Sequence, residues 1–433
     1  MRLPFFYGWA VVGVAFVTMA IGVNARTAFS LLFPPILDEF RWDRGVTAGA
    51  FSFGFLVSAF LGPVLGRLMD RRGPRWVVTL GAVLVALGLG LAPLTREPWH
   101  LYATLGVLLG GGTVCLGYTG HAMYLPNWFV RRRGLAVSIA FSGVGVGSIV
   151  LLPWIQVLIS TGGWRWACVV IAVLMLTVGV PLNLMIPHRR PEDLGLHPDG
   201  DAAVASVPGG GAARADNVVD ATWAATDWTL ARAIRTTRFW WIALAFATGM
   251  LSWYAVQVHQ TKYLLEIGFA PGPAAYALGL VSFAGIFGQI VLGHLSDRIG
   301  REWVWTLGCL GFALCYALLL AMKDYPSPML LYLMVATQGV LGYGITSVFG
   351  AIPAEIFQGR HFGSIFGMLT LASLLGGALG PWMTGALHDH TGSYALGFGA
   401  AIVSSGLSAL AVWLAAPRKV RTVAGRALRG PTR

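Results

Sequence analysis

About a dozen apolar runs of roughly 20 to 28 residues divide this sequence, each long enough to cross a ~30 Å hydrocarbon core at ~1.5 Å per residue. A chain built this way folds as membrane-spanning helices. A transmembrane barrel would show alternating segments of about ten residues, and none occur. Only 11% of the residues are charged, against about 25% in soluble domains. The four cysteines, Cys115, Cys168, Cys309 and Cys315, all fall within apolar runs and read as small packing residues rather than disulfide partners.

The runs predict an all-α membrane protein of twelve transmembrane helices, at about 8–32, 46–69, 74–94, 99–127, 134–159, 164–186, 239–266, 273–294, 302–321, 328–356, 362–386 and 392–416. Arg72-Gly73-Pro74, Gly162-Gly163, Gly272-Pro273 and Pro326-Ser327-Pro328 punctuate the breaks. The first run carries Asn24 and Arg26 and is too long for a removable signal peptide. With both termini on the cytoplasmic side, 23 of the 30 Lys and Arg residues fall on that side, as the positive-inside rule requires. The net charge of +12 is then mostly an insertion code, and nucleic acid is not an expected partner.

A long connection at 187–238, with Pro-Gly-Gly-Gly at 208–211, separates two six-helix bundles, 1–186 and 239–416, and a basic tail follows at 417–433. The stretch Thr229 to Arg235 reads as a short amphipathic helix on the membrane face, and the tail could touch anionic lipid headgroups. The bundles repeat. Gly66, Asp70, Arg71, Gly73, Trp76 and Gly81 recur 227 positions later as Gly293, Asp297, Arg298, Gly300, Trp303 and Gly308. Pro126 and Arg133 recur at the same offset as Pro353 and Arg360. One offset across two separate loops marks a duplication, and parallel six-span repeats are an architecture of secondary transporters.

The loops GRLMDRRGPR (66–75) and GHLSDRIGR (293–301) resemble the GxxxDxxGxR signature of the major facilitator superfamily, the second copy slightly shortened. The segment WFVRRRGLAVSIAFSGVGVG (128–147) is similar to the signature that opens the fifth helix of monocarboxylate transporters and oxalate/formate antiporters. Tyr7-Gly8-Trp9 and FPPILDEFRWDRG (33–45) fit the bacterial branch. This resemblance implies transport by alternating access, and a conformational role for the loop residues Gly66, Asp70, Gly73, Arg75, Gly293, Asp297, Gly300 and Arg301, with Arg133. Asp70 would pair with Arg71 or Arg75 and face a neighbouring helix N-terminus, and Asp297 would do the same with Arg298 and Arg301. The sequence also departs from these families. Their eighth-helix arginine corresponds to Gln289, the aspartate one turn earlier to Gly285, and the eleventh helix has no lysine or arginine.

An ionised side chain in the bilayer core costs at least about 2.5 to 3.5 kcal/mol, so each one in a span is a candidate for function. Arg26 heads the set: it either snorkels or offers a planar fork to a carboxylate, with Asn24 beside it. In the seventh span His259 and Lys262 share a face, with Tyr263 one turn beyond His259, Gln257 and Gln260 on flanking positions, and Trp253 and Tyr254 as wall residues. Lys262 could snorkel instead, and His259 could donate to substrate, titrate with a coupled proton, or be a satisfied interhelical histidine. Tyr118, His121 and Tyr124 line one side of the fourth span, and Gln338, Tyr343 and Ser347 belong to the tenth. None of the 18 acids falls deep in a span, Glu266 and Glu355 being at helix ends, which disfavours a cationic substrate.

No enzyme motif is present: neither HExxH, nor a P-loop, nor GxSxG. The expected protein is a monomeric, multi-pass transporter of the cytoplasmic membrane, moving a small organic anion such as a monocarboxylate, by proton coupling or exchange. No cofactor or metal is expected. The alternative is an exporter of apolar, drug-like compounds in the same fold.

Overall fold

The computed structural model describes residues 6–42, 44–185, 190–200 and 217–423. Among these the structure is helical throughout, the one strand-like feature being an isolated antiparallel bridge between Val218 and Arg421. Eleven helical segments are long and apolar enough to cross a membrane. The count differs from twelve because residues predicted as two spans, 134–159 and 164–186, lie in one 53-residue stretch, Arg133–Met185. That stretch is interrupted at Gly163, whose φ of 80° and ψ of 170° are non-helical.

The described residues form two compact units, the first from 6–129 and 139–200, the second from 130–138 and 217–423. The first unit contains α1 (Tyr7–Thr27), α2 (Phe29–Phe40), α3 (Arg44–Arg72), α4 (Pro74–Leu91), α5 (Gly110–Leu116), α6 (Tyr118–Ala122), most of α7 (Arg133–Leu174) and α8 (Val180–Met185). Lipid tails are as apolar as the helices, so close backbone approach and polar side chains supply the association. A Cβ at Gly143 would strike the Phe16 carbonyl of α1, and one at Gly110 would sit 2.6 Å from the Gly54 Cα of α3. Asn183 donates to Thr18 Oγ1 at 2.8 Å. A π-helical segment, Tyr102–Leu109, leads into α5. At Gly117 the backbone becomes extended and separates α5 from α6.

At one end of this unit Glu39 accepts from Trp164 Nε1 at 2.8 Å and pairs with Arg165, whose Nε also donates to the Pro93 carbonyl at 3.0 Å. The hydrogen bond from Arg165 holds the Glu39 carboxyl below its ordinary value of 4.5. A carboxyl with a lowered folded-state pKa contributes stability in full above the unfolded value and loses it as pH falls through the folded one. We therefore expect the thermal midpoint to drop on acidification below pH 4.5, with a smaller drop in Arg165→Met. Identical acid profiles would refute the assignment.

The second unit contains α9 (Thr237–Glu266), α10 (Pro271–Ile299), α11 (Arg301–Asp324), α12 (Pro328–Ala336), α13 (Gly344–Phe349), α14 (Ala351–Ile356), α15 (Phe362–Thr391) and α16 (Ala395–Ala415), with the first turn and a half of α7. Gly376 and Gly380 of α15 lie against the Ala247 and Leu251 carbonyls of α9. Three serines tie α9 to α16: Ser408 to the Ala245 carbonyl at 2.7 Å, Ser404 to Thr248 at 3.0 Å and Ser252 to Ala401 at 2.9 Å. A second π-helical segment, Thr337–Gly342, precedes α13. The repeat has a local counterpart in the backbone. Gly73 and Gly300, 227 positions apart, adopt φ of 77° and 113°, a region closed to most side chains, and each lets a helix stop and the next begin within one residue.

Candidate functional site

In the first unit, Arg26 occupies the last turn of α1, half-buried. Its guanidinium lies 3.5 Å from the Phe55 ring centroid and 5.6 Å from that of Phe51, and Nη1 donates to Ser58 Oγ at 3.3 Å. Ser58 is itself anchored 2.7 Å from the Gly110 carbonyl. A cation against aromatic faces keeps its charge at reduced desolvation cost. Asn24, two residues earlier, is fully buried. It donates to the Ala20 and Val144 carbonyls at 2.8 and 3.0 Å and accepts from Ser148 at 2.8 Å, so it braces α1 against α7.

The fourth-span residues separate. Tyr118 is half-buried, edge-on to Phe141 at 4.9 Å. His121 and Tyr124 are completely buried, their rings 5.7 Å apart. His121 Nδ1 lies 3.0 Å from the Gly117 carbonyl, which requires the proton on Nδ1 and leaves Nε2 an acceptor in the neutral ring. Neutral His121 therefore cannot donate to an anion from Nε2.

In the second unit, Tyr343 shares hydrogen bonds with the side chains of Gln257 and Ser282 and packs 4.6 Å from the Trp253 ring. Three elements, α9, α10 and the turn before α13, thus contribute to one neutral polar patch. Its floor is Gly285: a Cβ there would meet the Tyr343 ring at 2.7 to 2.8 Å. Ser282 was not singled out from the sequence, although it stands three residues before Gly285 on the same helix. Tyr254 lies over Gly377 of α15, its ring carbon 2.7 Å from where a Cβ would be. His259 Nε2 donates to the Pro381 carbonyl at 2.9 Å, the interhelical bond anticipated as one alternative for it. Gln338 is buried with Oε1 3.8 Å from Cys315 Sγ, and Ser347 donates to the Gln289 carbonyl at 2.8 Å, so both face neighbouring helices. The side chain of Lys262 lies outside the described residues.

A buried charge cluster occupies one end of the second unit. Arg301, 2% exposed, pairs with Asp297 at 2.6 Å and with Glu355 at 2.8 Å, and also donates to Ser296 Oγ. Asp297 accepts from the backbone N–H groups of Gly134 and Leu135 at 3.0 and 3.1 Å, in the first turn of α7, where the helix dipole favours a carboxylate. Arg133 is buried within the field of the same acids. Gly293 allows this approach, since a Cβ would strike Ser138 Oγ and come within 2.7 Å of the Gly134 carbonyl. Arg301 takes the pairing expected of it, whereas Arg298 is exposed, as are Arg71 and Arg75, while Gly66 is buried and Asp70 half-buried. Glu355 is at a helix end, as the sequence places it, and its carboxylate also belongs to the core of this cluster. The repeat could not reveal it, because the residue 227 positions earlier is Trp128.

A family model for the Major Facilitator Superfamily matches residues 14–348 and 263–431. The chain belongs to this superfamily. It is 27% identical over 393 residues to monocarboxylate transporter 13 of Bos taurus, covering 90% of this chain and 85% of that one. It is 25% identical over 419 residues to monocarboxylate transporter 2 of Homo sapiens, covering 94% and 84%. Among solved structures, the E. coli fucose:proton symporter superposes with a TM-score of 0.69 at 15% identity, covering 94% of this chain and 98% of the other, so it shares the fold. The proton:xylose symporter gives a TM-score of 0.67 at 15% identity, covering 96% of each. These similar proteins are transporters and not enzymes, and this member of the superfamily is a multi-pass membrane transport protein.

Proposed function

We propose that this superfamily member is a secondary transporter of a small organic anion, a monocarboxylate, working by alternating access. The observation that carries the reading is Arg26, a half-buried guanidinium set against two phenylalanine rings in a span. One planar cation suits one carboxylate. The similarity to monocarboxylate transporters supports the same substrate class. Fully bonded Asn24 in the first unit, and His259 on its Pro381 carbonyl in the second, each brace helices of their own unit. Tyr118 is the fourth-span residue best exposed to a substrate. Transport is proton-coupled or proceeds by exchange.

Twelve crossings follow from length. At ~1.5 Å per residue the 53-residue stretch Arg133–Met185 measures about 80 Å, more than twice a ~30 Å core, so the chain turns back at Gly163. The cation distribution favours both termini on the cytoplasmic side, and on this reading the chain is a monomer of the cytoplasmic membrane with six-helix bundles at 1–186 and 239–416. On that side the Asp297, Arg301 and Glu355 cluster acts as a lock whose opening biases the two-state equilibrium, with Asp70, Gly73 and Arg75 as its counterpart in the other repeat.

A second reading, export of apolar compounds, draws on Gln289 and the Tyr343-covered Gly285 where related carriers hold charges. A thermal-shift screen of purified protein at two pH values separates the two. We expect pyruvate or lactate to raise the midpoint and succinate and cationic drugs to leave it unchanged. Stabilisation by cationic drugs alone would overturn the carboxylate assignment.

A further inference from the structure

The chain does not leave the second unit when α16 ends. Ala416 takes a left-handed conformation, φ 49°, and the following turn, Pro417–Lys419, carries the tail back over the ends of α11 and α14. There the Arg418 N–H donates to Glu302 Oε1 at 3.0 Å and Arg421 Nη1 donates to the Glu355 carbonyl at 2.6 Å. A second segment arrives from the linker. Thr422 N–H donates to the Asn217 carbonyl at 2.7 Å, and Val219 and Asp220 donate to the Val420 carbonyl at 2.9 and 3.3 Å, with Val420 completely buried between them. Asp220 caps the next helical turn, and Trp223 Nε1 donates to the Ile356 carbonyl at 2.8 Å while its ring packs at a tilt against Trp228 and lies near Phe357.

Both segments therefore end on the same turn of α14. The last carbonyls of a helix have no partner within it, and here two remote stretches supply them, one with a cation suited to a negative helix terminus. Glu355, whose carbonyl takes Arg421, turns its carboxylate the other way onto Arg301, which holds Asp297, which holds the first N–H groups of α7. A continuous run of hydrogen bonds joins the tail to the start of α7.

We propose that residues 417–422, paired with 217–220, are a clasp that keeps the Asp297, Arg301 and Glu355 cluster assembled, so that detaching the tail frees the beginning of α7. The inference goes beyond the transport reading and needs no substrate to test. Hydrogen exchange is followed on the full chain in lipid nanodiscs, comparing wild type with Arg421→Ala, Val219→Pro and a chain ending at Ala416. Val219→Pro removes the closer of the linker's two donors to Val420 while keeping every tail residue. We expect amide exchange at Gly134 and Leu135 to accelerate at least tenfold in all three, with exchange in α4 of the other unit unchanged, and Arg421→Lys to fall between wild type and alanine. Wild-type exchange at Gly134 and Leu135 in the chain ending at Ala416 would overturn the clasp, as would equal acceleration in α4, which reports general loosening.

Discussion

Arg26→Gln is expected to cut uptake of a labelled monocarboxylate into proteoliposomes at least tenfold while the protein inserts and folds normally. Charge-assisted hydrogen bonds contribute about 1.5 to 3 kcal/mol, and each ~1.4 kcal/mol is tenfold, so the loss should be between about 10-fold and 150-fold. The substitution keeps a polar amide but stops two bonds short of the group that reaches Ser58, 3.3 Å away in the wild type, and it removes the cation that Phe51 and Phe55 support. Arg26→Lys should recover part of the activity, because an ammonium restores the charge but not the fork. Undiminished uptake in Arg26→Gln would end the assignment of the carboxylate to this residue, whatever the substrate.

The other large effect belongs to Arg301→Ala. It leaves Asp297 and Glu355 buried without their shared cation, and removing one partner of a buried ion pair costs roughly 3 to 5 kcal/mol. Chemical denaturation in micelles should show the loss as a lowered midpoint. The triple variant Asp297→Asn, Arg301→Met, Glu355→Gln should recover much of it, because a neutral, packed set avoids the desolvation of three charges. Asn at 297 still has an oxygen to accept from Gly134 or Leu135, so the start of α7 retains one of its bonds. A single Arg301→Ala variant as stable as wild type would show that the cluster contributes nothing to holding the unit together.

Most of the fold is legible in the sequence because bilayer physics leaves few options: an apolar run of the right length becomes a helix, and glycine and proline set its ends. Gly73 and Gly300 could be read directly, since both stand where one helix stops and the next starts, and both take positive φ. Of the residues proposed for function, Arg26, Gln257 and Tyr343 stand out in the sequence as polar groups within spans. Which face of a span meets a neighbour is set by packing between helices, and helical periodicity is weak where lipid and protein are equally apolar. That is why Asn24, Gln338 and Ser347 carried the same polar signal as Arg26 yet bond to neighbouring helices. Glu355 and Ser282 escaped for a different reason: each acts with partners distant in sequence, Arg301 for one and Tyr343 for the other.

The Tyr343 ring above Gly285 also constrains the order in which this sequence can change. An aspartate introduced at 285 on its own would bring its Cβ to within 2.7 to 2.8 Å of ring carbons held on a different helical segment. The ring must first shrink or swing aside, and either step gives up the hydrogen bonds to Gln257 and Ser282. A lineage passing through this sequence therefore reaches an acid at 285 only by moving or replacing the ring at 343, so the cost of change at one position depends on the other.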